Sequence, residues 1–169
     1  MKLLRYVSLI FATILLVAID QLTKLYIVQN FELGEERQFI GDYLVITHIR
    51  NKGMAWSLLT GKTTLLLIVT CVICILLLFM YHNIIFYERY NVIRYLIMFI
   101  MGGAIGNLID RVRLQYVVDF IYVKVINFPV FNFADICVTV SVIILMFLFI
   151  FKYKSEDIDI ILHTEPKES

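Results

Sequence analysis

Charge is scarce in this chain. Of its 169 residues only 17% are Asp, Glu, Lys or Arg, and 61% are hydrophobic. Soluble domains run near 25% charged and 45–50% apolar, so a soluble globule is excluded. Fifteen basic against fourteen acidic residues leave a net charge of +1, which gives no electrostatic basis for binding nucleic acid. Three cysteines and three histidines, scattered along the chain, are too few for a disulfide framework or a metal cluster. With only two prolines, Pro129 and Pro166, and seven glycines, the chain is not low-complexity. What is present is apolar length: the mean hydropathy is +0.86, and the size allows one modest domain.

Four apolar runs stand out, at about 6–28, 63–81, 92–109 and 133–153. At 1.5 Å per residue each can cross about 30 Å of hydrocarbon as a helix. Inside lipid a run must satisfy its own backbone, and the continuous rather than alternating pattern excludes a barrel. The first run begins after a basic Met1–Arg5 segment but is followed by Asp20-Gln21-Leu22-Thr23-Lys24, not by a small-residue cleavage site. It reads as a retained helix rather than a signal peptide. No cysteine for lipid attachment lies behind it, so the chain is not expected to be a lipoprotein itself.

Four spans place both termini on one side. Basic residues divide almost evenly between the two sides, and the basic start with Lys152 and Lys154 favours cytoplasmic termini. On the opposite side, Gly41-Asp42 between two β-prone runs reads as a hairpin. Tyr43, Val45, Thr47 and Ile49 alternate with Leu44, Ile46, His48 and Arg50, as in a half-buried strand. The expected fold is therefore an all-α polytopic membrane protein. It has four transmembrane helices and a small extracytoplasmic β-sheet cradle between the first two. Residues 1–151 form one integral membrane domain, and 152–169 read as a polar, flexible tail.

An ionisable residue at a span is expensive in lipid and marks a functional site by default. Asp20, Asp110, Asp119 and Asp135 all fall toward one face of the membrane, because spans one and three end there and span four begins there. Taken alone, Asp20 and Lys24 read as an i,i+4 interfacial ion pair with snorkelling side chains. Gly103, Gly106, Asn107 and Asp110 share one face of the third span, where glycines let helices approach closely; Arg111 continues it. Packing and orientation suit this group better than chemistry. Asp119 lies within Val117-Val118-Asp119-Phe120-Ile121, and Asp135 within Phe131-Asn132-Phe133-Ala134-Asp135. By itself Asp135 could simply complement a helix N-terminus, but a second acid in similarly apolar surroundings weakens that reading. Two carboxylates in a low-dielectric site share one proton. One can then take a proton from water while the other donates to a carbonyl oxygen. Phe120, Phe131 and Phe133 would lower the dielectric around them.

Rival chemistries are poorly supplied. His48, His82 and His163 lack zinc spacing. Cys71, Cys74 and Cys137 lie in apolar helices and read as core residues. Ser57 and Ser141 have no evident base. Residues 102–106 are inside a span, so they are not a phosphate loop.

Five segments then occur in order. They are Asp20-Gln21-Leu22-Thr23-Lys24, Asn51-Lys52-Gly53-Met54-Ala55-Trp56-Ser57, Gly102 through Arg111, Val117-Val118-Asp119-Phe120, and Phe131 through Asp135. Together they resemble the bacterial lipoprotein signal peptidases, also called signal peptidase II. The resemblance implies a four-helix aspartic endopeptidase of the bacterial cytoplasmic membrane, with cytoplasmic termini and an active site near the extracytoplasmic face. It implies cleavage of prolipoproteins before the diacylglyceryl-modified cysteine, inhibition by globomycin, and no cofactor or metal. Asp119 and Asp135 correspond to the catalytic pair. Asp20, Lys24, Asn51, Gly53, Asn107, Asp110, Arg111 and Asn132 correspond to positions that contact substrate or orient the site. Met54 and Trp56 stand where Ala and Phe are more usual, which bears on pocket shape; Trp56 would also suit an interfacial anchor. The enzyme is expected to act as a monomer on lipid-embedded substrate.

Two other classes remain on the residues alone. A proton- or cation-coupled transporter would want intramembrane carboxylates, but near the midplane and on broken or repeated helices. A non-enzymatic membrane scaffold would tolerate Asp119→Asn and Asp135→Asn.

Overall fold

A computed structural model describes residues 2–53 and 60–162. The order is α1 (Lys2–Asn30), β1 (Glu36–Ile40), β2 (Leu44–Asn51), α2 (Thr63–Ile84), α3 (Asn91–Leu114), β3 (Val117–Val123), α4 (Phe133–Phe151) and α5 (Ser155–Leu162). Helices α1 to α4 are each long and apolar enough to cross a bilayer. The sequence expectations for Met54, Trp56 and Ser57 lie outside the described residues, as does the end of the chain from 163.

Helix α3 is the central span. Of its most apolar window 61% is buried within the protein, against 11–17% for the other three, and it packs against α1, α2 and α4. Lipid tails are as apolar as Leu, so what holds these helices together is close packing and internal polar contacts rather than hydrophobic transfer. Glycine supplies the closeness. A Cβ built on Gly102 would stand 2.6 Å from Leu16 Cβ, and one on Gly103 would stand 2.4 Å from the Ala134 carbonyl oxygen. At the end of the bundle that carries both termini, Leu9, Tyr81, Ile84, Ile93, Ile97 and Ile161 form a packed apolar core.

The hairpin at Gly41 is present, with the glycine at φ +50° and Tyr43 N–H bonded to Ile40 at 3.1 Å. Two features of the sheet differ from the expectation. First, it has three antiparallel strands in the order β1-β2-β3, and the third comes from the segment between α3 and α4. Val117 to Phe120 are all buried, so this strand is covered on both sides and lacks the alternation that marks a half-buried one. Second, the alternation of β2 holds only through Thr47. An irregularity in its pairing with β3 between Ile46 and Ile49 buries His48 as well as Thr47, as a bulge does.

The expected flexible tail also differs. Residues 155–162 are the helix α5, docked on α2. Asp157 holds it: its carboxylate accepts from Arg89 Nε at 2.7 Å and Nη2 at 2.9 Å, from the Tyr90 hydroxyl at 2.8 Å and from Lys154 N–H at 2.9 Å. The Arg89 guanidinium keeps this carboxyl well below the usual range. Ile161 is buried in the core beside Tyr81, and Asn83 donates to its carbonyl at 3.0 Å. Polar composition concealed an amphipathic helix.

Candidate active site

Strand β3 and the start of α4 bring the two principal carboxylates together. Helix α3 stops at Gln115, which takes the left-handed conformation at φ 64° and returns its N–H to Arg111 at 3.1 Å. The chain therefore turns at once into β3, which carries Asp119. After β3 it folds back, Phe131 pairing with Ile121, and enters α4 through Asn132. That residue is the N-cap of a reciprocal capping box: Asp135 N–H donates to Asn132 Oδ1 at 3.0 Å, and Asn132 N–H donates to Asp135 Oδ2 at 3.1 Å. Such a box satisfies two orphan donors of the helix start. Asn132 also reaches across, its amide donating to Asp119 Oδ1 at 2.7 Å.

Each oxygen of this pair accepts an N–H. Asn51 Nδ2 donates to Asp119 Oδ2 at 2.8 Å, and Asn107 Nδ2 donates to Asp135 Oδ1 at 2.9 Å. The amides are oriented by what their own oxygens accept. Asn51 Oδ1 takes the Gly53 N–H at 2.9 Å, and Asn107 Oδ1 takes Lys24 Nζ at 2.9 Å and Asn132 Nδ2 at 3.1 Å. Arg111 Nη2 donates to the Gly53 carbonyl at 3.3 Å, tying the end of β2 to α3. Asp119 is 2% exposed. Burial, and next the Asp135 carboxylate, push its carboxyl up to about 7, against the opposing hydrogen bonds from Asn51 and Asn132.

Both carboxylates line a groove of about 690 Å³ between α2, α3 and α4. Leu65, Leu66, Val69 and Ile73 form one apolar wall; Ile136, Val138 and Val140 form the other; Asn51, Gly53, Asn107 and Arg111 stand at its polar end. A long apolar trough closed by two carboxylates that differ in exposure can seat an apolar segment and place one polar bond against the acids.

Asp20 and Lys24 are not a snorkelling pair. They are 0% and 3% exposed. Lys24 Nζ lies 2.8 Å from Asp20 Oδ2 and 3.1 Å from Asp110 Oδ2. The second carboxylate comes from another helix and turns a local pair into a buried bridge between α1 and α3. All ten expected site residues therefore fall in one connected polar network. Gln21, which sequence reasoning passed over, belongs to it: Nε2 lies 3.2 Å from Asp20 Oδ2, 2.9 Å from Asp110 Oδ1 and 3.2 Å from the Gly106 carbonyl. An amide beside an acid within an apolar span was the available signal. The apolar wall on α2 had none, because every face of that span is equally apolar. Among the described residues no group of three His, Cys, Asp or Glu is placed to hold a metal ion.

A four-span helical membrane protein with a buried carboxylate pair at the end of an apolar groove has the architecture of an intramembrane aspartic peptidase. Comparison with known proteins agrees. The family model described as signal peptidase (SPase) II matches residues 12–151. The lipoprotein signal peptidase of Enterococcus faecalis is 43% identical over 125 residues, which are 72% of this chain and 74% of that one. The lipoprotein signal peptidase of Streptococcus agalactiae is 40% identical over 129 residues, 76% of this chain and 82% of that one. Two solved bacterial membrane enzyme structures, obtained in meso at 2.3 and 1.9 Å resolution, superpose with TM-scores of 0.76 and 0.74 at 35% and 34% identity. They cover 85% and 86% of this chain, which in turn spans 87% and 94% of theirs. The chain belongs to the signal peptidase II family and is an aspartic peptidase of the membrane.

Proposed function

We propose that this protein removes signal peptides from prolipoproteins by cutting before the diacylglyceryl-modified cysteine, with Asp119 and Asp135 as the reacting pair. The observation that carries this reading is that both carboxylates open onto one apolar groove while amide donors orient every one of their oxygens. A signal helix lies along the groove between α2 and α4, and its scissile carbonyl meets the acids at the polar end. Asp119, the more buried group, holds the shared proton and gives it to the carbonyl oxygen. The Asp135 carboxylate takes a proton from the attacking water. Collapse of the resulting diol breaks the C–N bond, and the proton passes to the leaving amine. Asn51, Gly53, Asn107, Arg111 and Asn132 orient the pair and the substrate backbone. Asp20, Lys24 and Asp110 act from behind.

The protein resides in the bacterial cytoplasmic membrane with both termini cytoplasmic and the sheet outside. It works as a monomer and is blocked by globomycin-type cyclic peptides occupying the groove. The test is cleavage of a diacylglyceryl-modified prolipoprotein peptide by purified wild type, Asp119→Asn and Asp135→Asn. Cutting before the lipidated cysteine by wild type alone, with both variants folded, is expected. Full activity in either variant, or none in wild type, overturns the reading and sends the question to ion uptake in proteoliposomes.

A further inference from the structure

Behind the groove wall stands a second pair of carboxylates, related to the first in a regular way. Asp20 Oδ1 accepts the N–H of Ala134, the residue just before Asp135, at 3.1 Å. Asp110 Oδ2 accepts the N–H of Val118, the residue just before Asp119, at 3.1 Å. Each back carboxylate thus grips the backbone one residue upstream of a front one. The two back carboxylates are themselves joined twice, by the Lys24 ammonium at 2.8 and 3.1 Å and by the Gln21 amide at 3.2 and 2.9 Å. Lys24 spends its third N–H on Asn107, which donates to Asp135. The approach that permits this is tight: a Cβ on Gly106 would lie 2.5 Å from Asp20 Oδ2.

We propose that Asp20, Lys24, Asp110 and Gln21 form a brace that sets the separation of Asp119 and Asp135. Lys24 and Gln21 act as positioning residues through the Val118 and Ala134 backbone amides. The proposal rests on Asp119 and Asp135 being the reacting pair. Its physical basis is that the direct ties between β3 and the start of α4, the Phe131–Ile121 pairing and the Asn132 amide on Asp119, all lie on that one short stretch, whereas the brace anchors both carboxylate-bearing segments to α1 and α3. The interaction between two carboxylates depends inversely on their spacing, so the two apparent titrations of the pair move together when the spacing grows. Among the described residues, the cations that face the pair are Lys24 from α1 and Arg111 from α3, with the Asp20 and Asp110 carboxylates behind Lys24. The groove residues of α2 and the Asn51 contribution of β2 are uncharged.

The experiment is the pH dependence of kcat and KM on a lipidated prolipoprotein peptide in detergent. It compares wild type, Gln21→Met, Lys24→Arg, Lys24→Met, Asp119→Asn and Asp135→Asn. Gln21→Met removes one tie and keeps the ion pair, so it remains informative where Lys24→Met fails to fold. A loosened brace lowers kcat by one to two orders of magnitude, the scale set by a misplacement of about 1 Å. KM stays near wild type, the two limbs of the bell draw together, and Lys24→Arg recovers part of both effects. Wild-type kcat and bell width in Gln21→Met, and in Lys24→Met where it folds, with both aspartate variants inactive throughout, overturn the brace and leave the reacting pair standing. So does activity lost only in proportion to the folded fraction. Activity in either aspartate variant removes the pair and the brace with it.

Discussion

Asn51 and Asp119 meet across the β2–β3 seam at 2.8 Å, the amide donating to a carboxylate that is almost wholly out of solvent. The bond opposes the effect of burial on Asp119. Replacing Asn51 with Ala should therefore move the alkaline limb of the pH–rate profile to higher pH, because the neutral acid is then favoured further. It should also lower kcat by on the order of 100-fold, as removal of one oriented donor commonly does. A profile measured on lipidated peptide from pH 5 to 9 reads both effects.

Stability carries the same titration. With Asp119 held up to about 7, the folded protein binds a proton that the unfolded chain releases near 3.9. This contribution is fully present below about pH 4 and fades as the pH rises through 7. It is worth at most about 4 kcal/mol at 1.36 kcal/mol per pH unit. Melting temperature in detergent should fall between pH 5 and 8 in wild type, with a shallower slope in Asp119→Asn.

The contact of Gly103 with the Ala134 backbone leaves no room for a side chain. Gly103→Ala must push α3 from α4 at the point where Asp135 enters the site. We expect a loss of about 1–3 kcal/mol, the usual cost of overpacking, together with severe loss of activity. Ala104→Gly, one residue on, supplies a control for helix propensity, with a loss near 1 kcal/mol. Chemical denaturation and peptide cleavage distinguish the two.

Asp157 lies at the opposite end of the bundle, so its removal should separate folding from catalysis. Asp157→Asn breaks the fork on Arg89 and should destabilise the protein by about 1–3 kcal/mol, with kcat unchanged. Because the wild-type carboxyl is held low, its contribution is present at neutral pH and is lost on acidification below the ordinary carboxylate range. The difference in melting temperature between wild type and variant should shrink accordingly toward pH 3.

Much of this fold could be read from the residues. The spans follow from apolar length, the hairpin from Gly41-Asp42, and the four acids from their cost in lipid. What escaped was whatever depended on partners distant in sequence. Strand β3 hid because burial on both faces erased its alternation. Asp20 and Lys24 looked superficial because an i,i+4 spacing says nothing of Asp110, eighty-six residues beyond Lys24. Helix α5 was masked by its acids, one of which is fixed by Arg89, sixty-eight positions earlier.

The groove between α2 and α4 is walled by apolar side chains of helices long and apolar enough to cross a bilayer. A substrate that reaches it sideways never passes through water, so the quantity that governs encounter is its mole fraction in the membrane. Diluting a fixed amount of enzyme and substrate with inert lipid should slow turnover at constant bulk concentration. Diluting the same vesicles with buffer should not. The kinetic constants of such an enzyme belong to a surface, and they change with the amount of membrane the cell supplies.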